Sequence, residues 1–256
     1  MAQSQTRWED HFSQISGDYQ RFRPTYPERL YRFLSEQCAN HDLAWDCATG
    51  TGQAATALAK TFSRVVASDA SPQQIDQAQA QAVALENISF QIAAAESVDL
   101  PDNSVDLVTV AQALHWFPLD AFYTEVKRVL KPDGLLAVWS YGVMTIDNPA
   151  VQKIVDHFYS ATLAEYWSPK RRWVEEGYRN LAFPFDELNC PQFSIRSEFD
   201  HQQLCGYLGT WSATQKWRQT QTQDPFPKLC TQLATNWPDS TQIMVEWPVL
   251  MRLGKA

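Results

Sequence analysis

Five short apolar runs alternate with helical patterns over residues 43–142, and this alternation restricts the fold more than any other feature of the chain. The runs read LAWDCA, RVVASD, ISFQIAAA, VDLVTVAQA and LLAVWSYG. Strands that are joined through helices run parallel, and strands that are covered on both faces are apolar nearly throughout. The alternation therefore predicts an α/β fold, with helices on both faces of a doubly wound, mostly parallel sheet.

The regular alternation stops at residue 142, which divides the chain into three parts. Residues 1–142 hold two helical patterns followed by the alternating core. Residues 143–190 are interpreted as a helical, aromatic cap insertion over the ligand edge of the sheet, and residues 191–256 return two late strands to that sheet. Many of the 10 Trp lie between Trp139 and Trp247, and clustered rings suit a cavity for an organic molecule.

The helix after the second apolar run has a clear start signal. Ser71 can cap it, Pro72 suits its first turn, and Gln74 stands where a capping box needs it. The pattern predicts a helix that begins at Pro72, just behind the carboxyl end of the second strand.

Charge and apolar content limit the partners. The chain carries 21 Lys and Arg against 29 Asp and Glu, a formal net charge of -8, whereas a binder of phosphate backbones needs positive charge. No apolar run approaches the roughly 18 residues of a membrane helix, and the first residues lack the pattern of a signal peptide. We expect a cytoplasmic monomer or homodimer that binds a small molecule, and neither nucleic acid nor membrane.

The cysteines and histidines show no ligand spacing. The 5 Cys are scattered and odd in number, without the pairs of a zinc site or a disulfide framework, so we interpret them as small buried thiols. The histidines share no metal-ligand spacing either. The sequence predicts no metal site.

The first apolar run leads into the segment DCATGTG, residues 46–52. Gly50 and Gly52 let the backbone approach a ligand and turn into a helix whose free amides face outward. A dinucleotide would place its pyrophosphate there, and GTGQAA matches the G-x-G-x-x-A form of that fingerprint. S-adenosylmethionine, a cation without phosphate, also fits. Asp46 favours this second ligand, because its negative charge suits a cation better than a pyrophosphate.

The second apolar run ends in an acid, Asp69. It follows Gly52 by seventeen residues, a spacing at which a carboxylate can bond the vicinal hydroxyls of a ribose. Both candidate cofactors contain a ribose, so Asp69 supports an adenosine cofactor without separating the two.

Four motifs resemble class I S-adenosylmethionine-dependent methyltransferases in identity and order. They are DCATGTG, ASDASPQQI, AAAESVDLPDNSVDLVTVAQALHWF and VLKPDGLLAVWSYG. With YQRFRPTYP and YLGTWSA, the chain looks most like the trans-aconitate methyltransferase-like branch of the methyltransferase type 11 group. The match covers residues 12–142 well and the last hundred residues loosely. It implies a Rossmann-like, seven-stranded sheet whose last strand is antiparallel, with N-terminal helices and a helical cap.

The resemblance also implies a cofactor site for S-adenosylmethionine, distributed over the ends of successive strands. The loop after the first strand would hold the methionine end, the next two strand ends the ribose and adenine, and the fourth the sulfonium, while the N-terminal segment closes the pocket. The implied residues are Asp46, Ala48, Gly50, Gly52 and Gln53; Asp69, Ala70, Ala94, Ala95 and Glu96; Ala111 and Gln112; and Tyr19 with Arg23.

Two positions depart from the family pattern. Ala48 replaces the first glycine of the loop, which is tolerable if its φ is negative. Ala94 replaces the acid often found after the third strand. Adenine would then be recognised by backbone amides or by Glu96, and Glu96 fits a solvated helix-capping acid equally well.

The acceptor side would follow the fourth and fifth strands and the late helices. His115 could be a general base, an anchor for a carboxylate, or a packed ring beside Trp116. The stretch PKRRWVEEGYR offers Lys170, Arg171 and Arg172 as anion contacts, although such a charge run is more typical of a solvated face. The expected substrate residues are Trp116, Tyr141, Tyr207 and Trp211.

We therefore expect an S-adenosylmethionine-dependent methyltransferase that acts on a small organic molecule, with O-methylation of a carboxylic acid of the trans-aconitate type as the leading hypothesis. Two alternatives stay open. A nicotinamide-dependent oxidoreductase is consistent with GTGQAA and Asp69. A non-catalytic S-adenosylmethionine-binding protein is consistent with the uncertain role of His115.

Overall fold

A computed structural model describes residues 22–238 and 242–256 of the 256-residue chain. Its helices are α1 (Glu28–Gln37), α2 (Gln53–Leu58), α3 (Pro72–Gln81), α4 (Leu119–Val129), α5 (Pro149–His157), α6 (Arg171–Glu175), α7 (His201–Gly209), α8 (Ser212–Thr220) and α9 (Phe226–Asn236). Its strands are β1 (Leu43–Cys47), β2 (Arg64–Asp69), β3 (Ile88–Ile92), β4 (Val105–Ala111), β5 (Leu130–Tyr141), β6 (Thr145–Ile146), β7 (Asp186–Leu188), β8 (Phe193–Phe199) and β9 (Ile243–Lys255). A 3₁₀ turn covers Leu114–Trp116, and a π-helical turn covers Phe158–Thr162.

The strands form one sheet in the order β3-β2-β1-β4-β5-β9, with β8 on the far side of β9. The first five strands pair in parallel, whereas β9 is antiparallel to both β5 and β8. The short strand β6 pairs with the part of β9 that β5 leaves unpaired, and β7 pairs with the part that β8 leaves unpaired. Seven main strands with an antiparallel last strand confirm the fold expected from the sequence.

The sheet is covered on both faces because its strands alternate between two hydrophobic cores. Ala44 of β1 belongs to the core under α1 and α2, while its neighbour Trp45 belongs to the core under α4. Trp45 has no exposed surface, and its ring lies 6.5 Å from Phe122 of α4. The doubly wound packing thus brings the carboxyl ends of β1, β2 and β4 together at one open edge.

The start of α3 agrees with its sequence signal in the Ser71 cap and Pro72, but the capping box is not completed, because the Ser71 amide donates to Asp69 instead of the Gln74 side chain. The Ser71 hydroxyl accepts a hydrogen bond from the Gln74 amide at 3.4 Å, and Pro72 occupies the first turn. The helix therefore begins directly behind Asp69 at the end of β2.

The cap draws on residues from both sides of residue 190. Phe158, in the π-helical turn after α5, lies with its ring 6.2 Å from Trp211, 5.4 Å from Trp217 and 6.4 Å from Phe226. Residues 143–190 consequently pack on α7, α8 and α9 rather than forming a separate unit. We call the region of helices α5–α9, with the π-helical turn but without the strands β7 and β8, the cap from here on.

A disulfide joins two cap helices, which corrects the prediction that all cysteines are thiols. Cys205 of α7 and Cys230 of α9 are bonded, with their Cα atoms 5.6 Å apart. Their sequence separation of 25 carries no local signal, because only the packing of α7 on α9 brings them together. Cys47 is a buried thiol as predicted, and burial raises its pKa.

Across residues 22–238 and 242–256, no helix combines the length and apolar character needed to cross a membrane. The same ranges contain no group of three or more His, Cys, Asp or Glu side chains that could hold a metal ion.

Candidate functional site

The loop between β1 and α2 lies at the open edge of the sheet with three residues at positive φ. These are Ala48 at 55°, Gly50 at 55° and Gly52 at 85°. A Cβ at Gly52 would come within 3.1 Å of the Ala78 Cβ, so this glycine lets α2 approach α3. A Cβ at Gly50 would meet only the Gln74 Oε1, at 3.8 Å, so the backbone at Gly50 borders open space. This bare stretch is the part of the loop that a ligand can approach.

The conformation of Ala48 contradicts the expectation of a negative φ. At 55°, it occupies the left-handed region in which a Cβ crowds the following carbonyl, at a cost of about 1–2 kcal/mol. The loop keeps the turn that glycine would supply, and the strain falls on an alanine.

Asp46 supports the loop from beneath. Its Oδ2 accepts hydrogen bonds from the Thr49 hydroxyl at 2.6 Å and the Ala55 amide at 3.1 Å, and its Oδ1 accepts from the Thr109 hydroxyl at 2.7 Å. The side chain is 1% exposed, and burial raises its pKa to about 6 against the effect of these donors. Asp46 therefore fixes β1, β4 and α2 relative to the loop.

Asp69 lies next to the open backbone. Its Oδ2 accepts from the Gly50 amide at 3.0 Å and its Oδ1 from the Ser71 amide at 2.9 Å. Burial raises its pKa, although the side chain is only half-buried. Each carboxylate oxygen keeps a second lone pair, so Asp69 can also accept hydrogen bonds from a diol.

Glu96 follows β3 on the same edge. Its Oε2 is buried and has no hydrogen-bond partner among the residues that the structure describes. The carboxylate is close enough to Cys47 to help raise the pKa of that thiol. Ala70, Ala94 and Ala95 lie nearby at the ends of β2 and β3 and offer only small side chains and backbone groups. A buried acceptor without a donor fits a ligand amine better than it fits a solvated helix cap.

Gln53 connects the N-terminal segment to this edge, whereas Arg23, expected here as well, contacts Tyr141 and Thr210. The Tyr26 amide donates to the Gln53 Oε1 at 3.1 Å, and the Gln53 Nε2 donates to the Pro24 carbonyl at 3.5 Å. Gln53 thus holds the incoming chain against the loop. Tyr19, also expected here, lies outside the described residues.

The end of β4 turns sharply beside β5. Ala111 is half-buried at the strand end, and Gln112 follows with a φ of 58°. The Gln112 amide donates to the Trp139 carbonyl at 2.9 Å, which fixes this turn against β5. Both residues border the edge, as the sequence predicts.

His115 stands in the 3₁₀ turn after β4, where burial, Lys170 and Arg171 lower its pKa to about 3. Its Nδ1 lies 3.3 Å from the Tyr178 hydroxyl, and its ring centroid lies 4.7 Å from that of Trp116. The imidazole is therefore neutral near pH 7. A packed ring agrees best with this environment, because burial and the two cations disfavour the imidazolium that both a cationic anchor and a general base would have to carry.

The other predicted substrate residues meet around Arg23. The Arg23 guanidinium donates to the Tyr141 hydroxyl and to the Thr210 carbonyl, and its Cζ lies 5.6 Å from the Tyr207 ring centroid. The Trp211 ring lies 5.8 Å from that of Tyr207. The structure brings residues from β5, α7 and the N-terminal segment into one aromatic wall.

Sequence reasoning missed three rings of the cap and did not distinguish Arg171 from its neighbours. Arg171 lies over Tyr159 and Trp167, with its Cζ 5.7 and 5.0 Å from the ring centroids. Tyr178 is fully buried beside His115 with a φ of 62°. The Gly177–Tyr178 pair is a sequence signal for a tight turn. Nothing in the sequence, however, indicates that this turn packs against the end of β4.

Comparisons with known proteins give a consistent family. A family model of a methyltransferase domain matches residues 45–138. A protein of Dictyostelium discoideum that carries a provisional methyltransferase name is 36% identical over 257 residues, which is 98% of this chain and 96% of that protein. A relative from Mycobacterium tuberculosis, also named a methyltransferase, is 40% identical over 130 residues, about half of each chain.

A solved structure from Anaeromyxobacter dehalogenans resembles nearly the whole molecule. It is provisionally described as a type II methyltransferase and superposes with a TM-score of 0.84 at 40% sequence identity, covering 91% of this chain and 98% of that chain. The likeness thus includes the cap as well as the sheet.

Proposed function

Since the chain belongs to the methyltransferase family that these relatives share, we propose that it transfers a methyl group from S-adenosylmethionine to a small organic molecule. The observation that carries this proposal is the contact of 3.0 Å between the Asp69 carboxylate and the Gly50 amide, beside open backbone. A ribose-binding acid and a bare loop then face the same ligand.

The residues at the edge fit this cofactor better than a dinucleotide. Asp46 and Asp69 are both acids whose pKa is raised, chiefly by burial, and among the described residues no cation is a named cause of either shift. A pyrophosphate would add negative charge to this environment, whereas a sulfonium and an ammonium would neutralise it. The loop at residues 48–52 would hold the methionine end, Asp69 the ribose, and Glu96 the adenine amine, with Ala111 and Gln112 beneath the sulfonium. The nicotinamide alternative has no comparable support.

When bound, S-adenosylmethionine supplies an electrophilic methyl carbon: a lone pair of the acceptor forms the new bond to this carbon, and the sulfur keeps the electron pair of the broken C–S bond. The chain supplies alignment and a dry pocket, which lower the activation free energy by roughly 7–11 kcal/mol in favourable cases. Tyr141, Tyr207 and Trp211 are all buried and exclude water from the acceptor side. His115 would be a weak base, because its surroundings lower its pKa to about 3, so the site suits an acceptor that is already ionised.

An organic acid is the acceptor class that we propose, methylated at oxygen as in the trans-aconitate methyltransferase-like branch. Lys170 and Arg171 both act on His115 at the end of β4, so positive charge faces the position beyond the sulfonium. Such a field attracts an anionic acceptor. A carboxylate is already ionised near neutral pH and needs no base.

Calorimetric titration of the full chain with S-adenosylmethionine and S-adenosylhomocysteine tests the cofactor. Both should bind, and Asp69→Asn should weaken binding roughly tenfold or more through the lost ribose contact. Asp76→Asn is the matched control, because Asp76 is an exposed acid of α3 behind the site. Absence of binding of either ligand at millimolar concentration would refute the proposal.

Screening carboxylic acids and phenols for formation of S-adenosylhomocysteine tests catalysis. Turnover of an acid supports the acceptor class. Cofactor binding without turnover of any compound would instead favour a non-catalytic binding protein.

A further inference from the structure

Arg171 presents an unused hydrogen-bonding edge inside the cap. Its side chain is 25% exposed, and its guanidinium lies against the rings of Tyr159 and Trp167. The Nε donates to the Tyr159 hydroxyl at 3.0 Å and to the Glu175 Oε1 at 3.3 Å. Within residues 22–238 and 242–256, neither terminal nitrogen, Nη1 or Nη2, donates to a protein acceptor.

Other arginines of the chain use that edge. The terminal nitrogens of Arg128 donate to Asp102 and Glu125, and those of Arg218 and Arg252 reach Asp224 and Glu187. The two Nη groups form the fork that binds a carboxylate through two parallel hydrogen bonds. In Arg171, Glu175 is bonded at Nε, so the fork is left for another acceptor.

The fork lies in the region where acceptor chemistry is expected. Rings connect Arg171 to the wall around Arg23: Trp167 lies 5.5 Å from Trp211, which lies 5.8 Å from Tyr207. Electrostatic effects agree with this position, because Arg171 contributes to lowering the pKa of His115 at the end of β4. Arg171 therefore borders the same space as the predicted substrate residues.

The two basic neighbours of Arg171 are oriented differently. The Lys170 Nζ lies 4.9 Å from the Trp116 ring centroid, and the exposed Arg172 has its Cζ 5.6 Å from the Trp173 ring centroid. Of this basic run, Arg171 is the residue that lies over the rings of Tyr159 and Trp167.

We propose that Arg171 binds an anionic group of the methyl acceptor, and that this group is a different one from the group that is methylated. The inference rests on the proposed methyl transfer and deepens it. A carboxylate held by both Nη groups has its charge balanced by the guanidinium and one lone pair of each oxygen engaged, which lowers its nucleophilicity. The acceptor is thus bifunctional, with one anionic anchor and a second nucleophile that reaches the end of β4.

The test uses a panel of dicarboxylic and phenolic acids, each paired with an analogue in which one carboxylate is a neutral amide. Production of S-adenosylhomocysteine is followed for wild type, Arg171→Gln, Arg171→Lys and Arg172→Gln. Arg172→Gln removes the same charge from the exposed side of α6 and is the matched control. Arg171→Lys keeps the charge without the fork and should restore activity only in part.

We expect the best acceptors to carry an anion and a second nucleophile, and the amide analogues to be poor. Arg171→Gln should raise KM for the acid roughly tenfold to a hundredfold, as loss of a charged hydrogen-bond pair does. The KM of Arg171→Gln for the amide should equal that of wild type. Its affinity for S-adenosylhomocysteine should stay within about twofold of wild type, because a twofold change corresponds to less free energy than one hydrogen bond.

Three outcomes overturn the inference: equal kinetics for Arg171→Gln and Arg172→Gln, a neutral or monofunctional best acceptor, or rejection of every acid by a protein that binds S-adenosylhomocysteine. Absence of S-adenosylhomocysteine binding in the wild type is a separate result, because it refutes the proposed function itself. If Arg171→Gln fails to fold, Arg171→Lys decides the question, because unchanged kinetics for the acid without the fork would overturn the inference.

Discussion

The cofactor edge and the cap are built in different ways. At the edge, the loop proposed to hold the methionine end is backbone, fixed by short-range contacts such as those of Asp46 with Thr49 and Ala55. In the cap, the groups proposed to face the acceptor are side chains that come from separate segments, such as Arg171, Tyr159 and Trp211. The first design suits a constant ligand and the second a variable one, since side chains change without disturbing the sheet.

The largest expected effect concerns the support of the edge. Replacing Asp46 by Ala leaves the Ala55 amide and two threonine hydroxyls without their buried acceptor. We expect a loss of about 4 kcal/mol in the free energy of unfolding, from roughly 1–3 kcal/mol for each unsatisfied group. Urea denaturation followed by circular dichroism measures it.

Asp102→Ala is the control for this variant. Its carboxylate is bonded to Arg128, but the side chain is 70% exposed, so the loss should stay within about 0.5 kcal/mol. Similar losses in the two variants would mean that the Asp46 cluster does not support the edge.

The next effect separates the cap from the edge. Replacing both Cys205 and Cys230 by Ser removes a crosslink between residues 25 apart, which stabilises a chain by about 3 kcal/mol. Hydrogen exchange should become faster in α7 and α9, while β1 and β4 exchange as before. Cys190→Ser, a change at a free cysteine, should leave both regions unchanged. Equal protection of α7 and α9 in all proteins would show that the bond contributes nothing to the cap.

The same contrast explains what could be predicted from the sequence. Gly50, Gly52 and Asp69 could be predicted because their roles depend on local sequence. A tight turn needs glycine and a ribose site needs an acid at a strand end, independently of how the rest of the chain packs. Lys170, Arg171 and Arg172 look alike in the sequence. Their roles differ only because the folded cap directs each side chain to a different ring.

Two other features lay beyond sequence patterns for related reasons. The disulfide depends on the packing of α7 against α9 and has no counterpart in cysteine spacing. The φ of Ala48 depends on the rigid neighbours of the loop, which override the ordinary preference of alanine.

A pH effect of about 2 kcal/mol should measure the contribution of Asp46. Its pKa of about 6 in the folded protein lies above the ordinary aspartate value of 3.8, so the folded state binds the proton more tightly. Stability from this group is present at low pH and is lost as pH rises through the folded pKa. The difference in unfolding free energy between wild type and Asp46→Asn should therefore fall by about 2 kcal/mol from about pH 4 to about pH 7.

Subtracting the Asp46→Asn curve removes the contributions of the other carboxylates, several of which shift in the opposite direction. Asp42 and Glu125, for example, have lowered pKa values because they pair with Lys131 and Arg128. A difference that stays level across this range would mean that Asp46 is ionised as easily in the fold as in water.

The smallest effect tests the loop itself. Ala48→Gly should stabilise the protein by about 1 kcal/mol, because glycine adopts a φ of 55° without the clash of a Cβ. Ala80→Gly, at an exposed position in the last turn of α3, should cost up to about 1 kcal/mol through helix propensity. Opposite signs for the same chemical change would establish that the turn is imposed by its surroundings. A loss in both variants would instead support the negative φ that the sequence suggested, and the edge would then be less constrained than the contacts around Asp46 indicate.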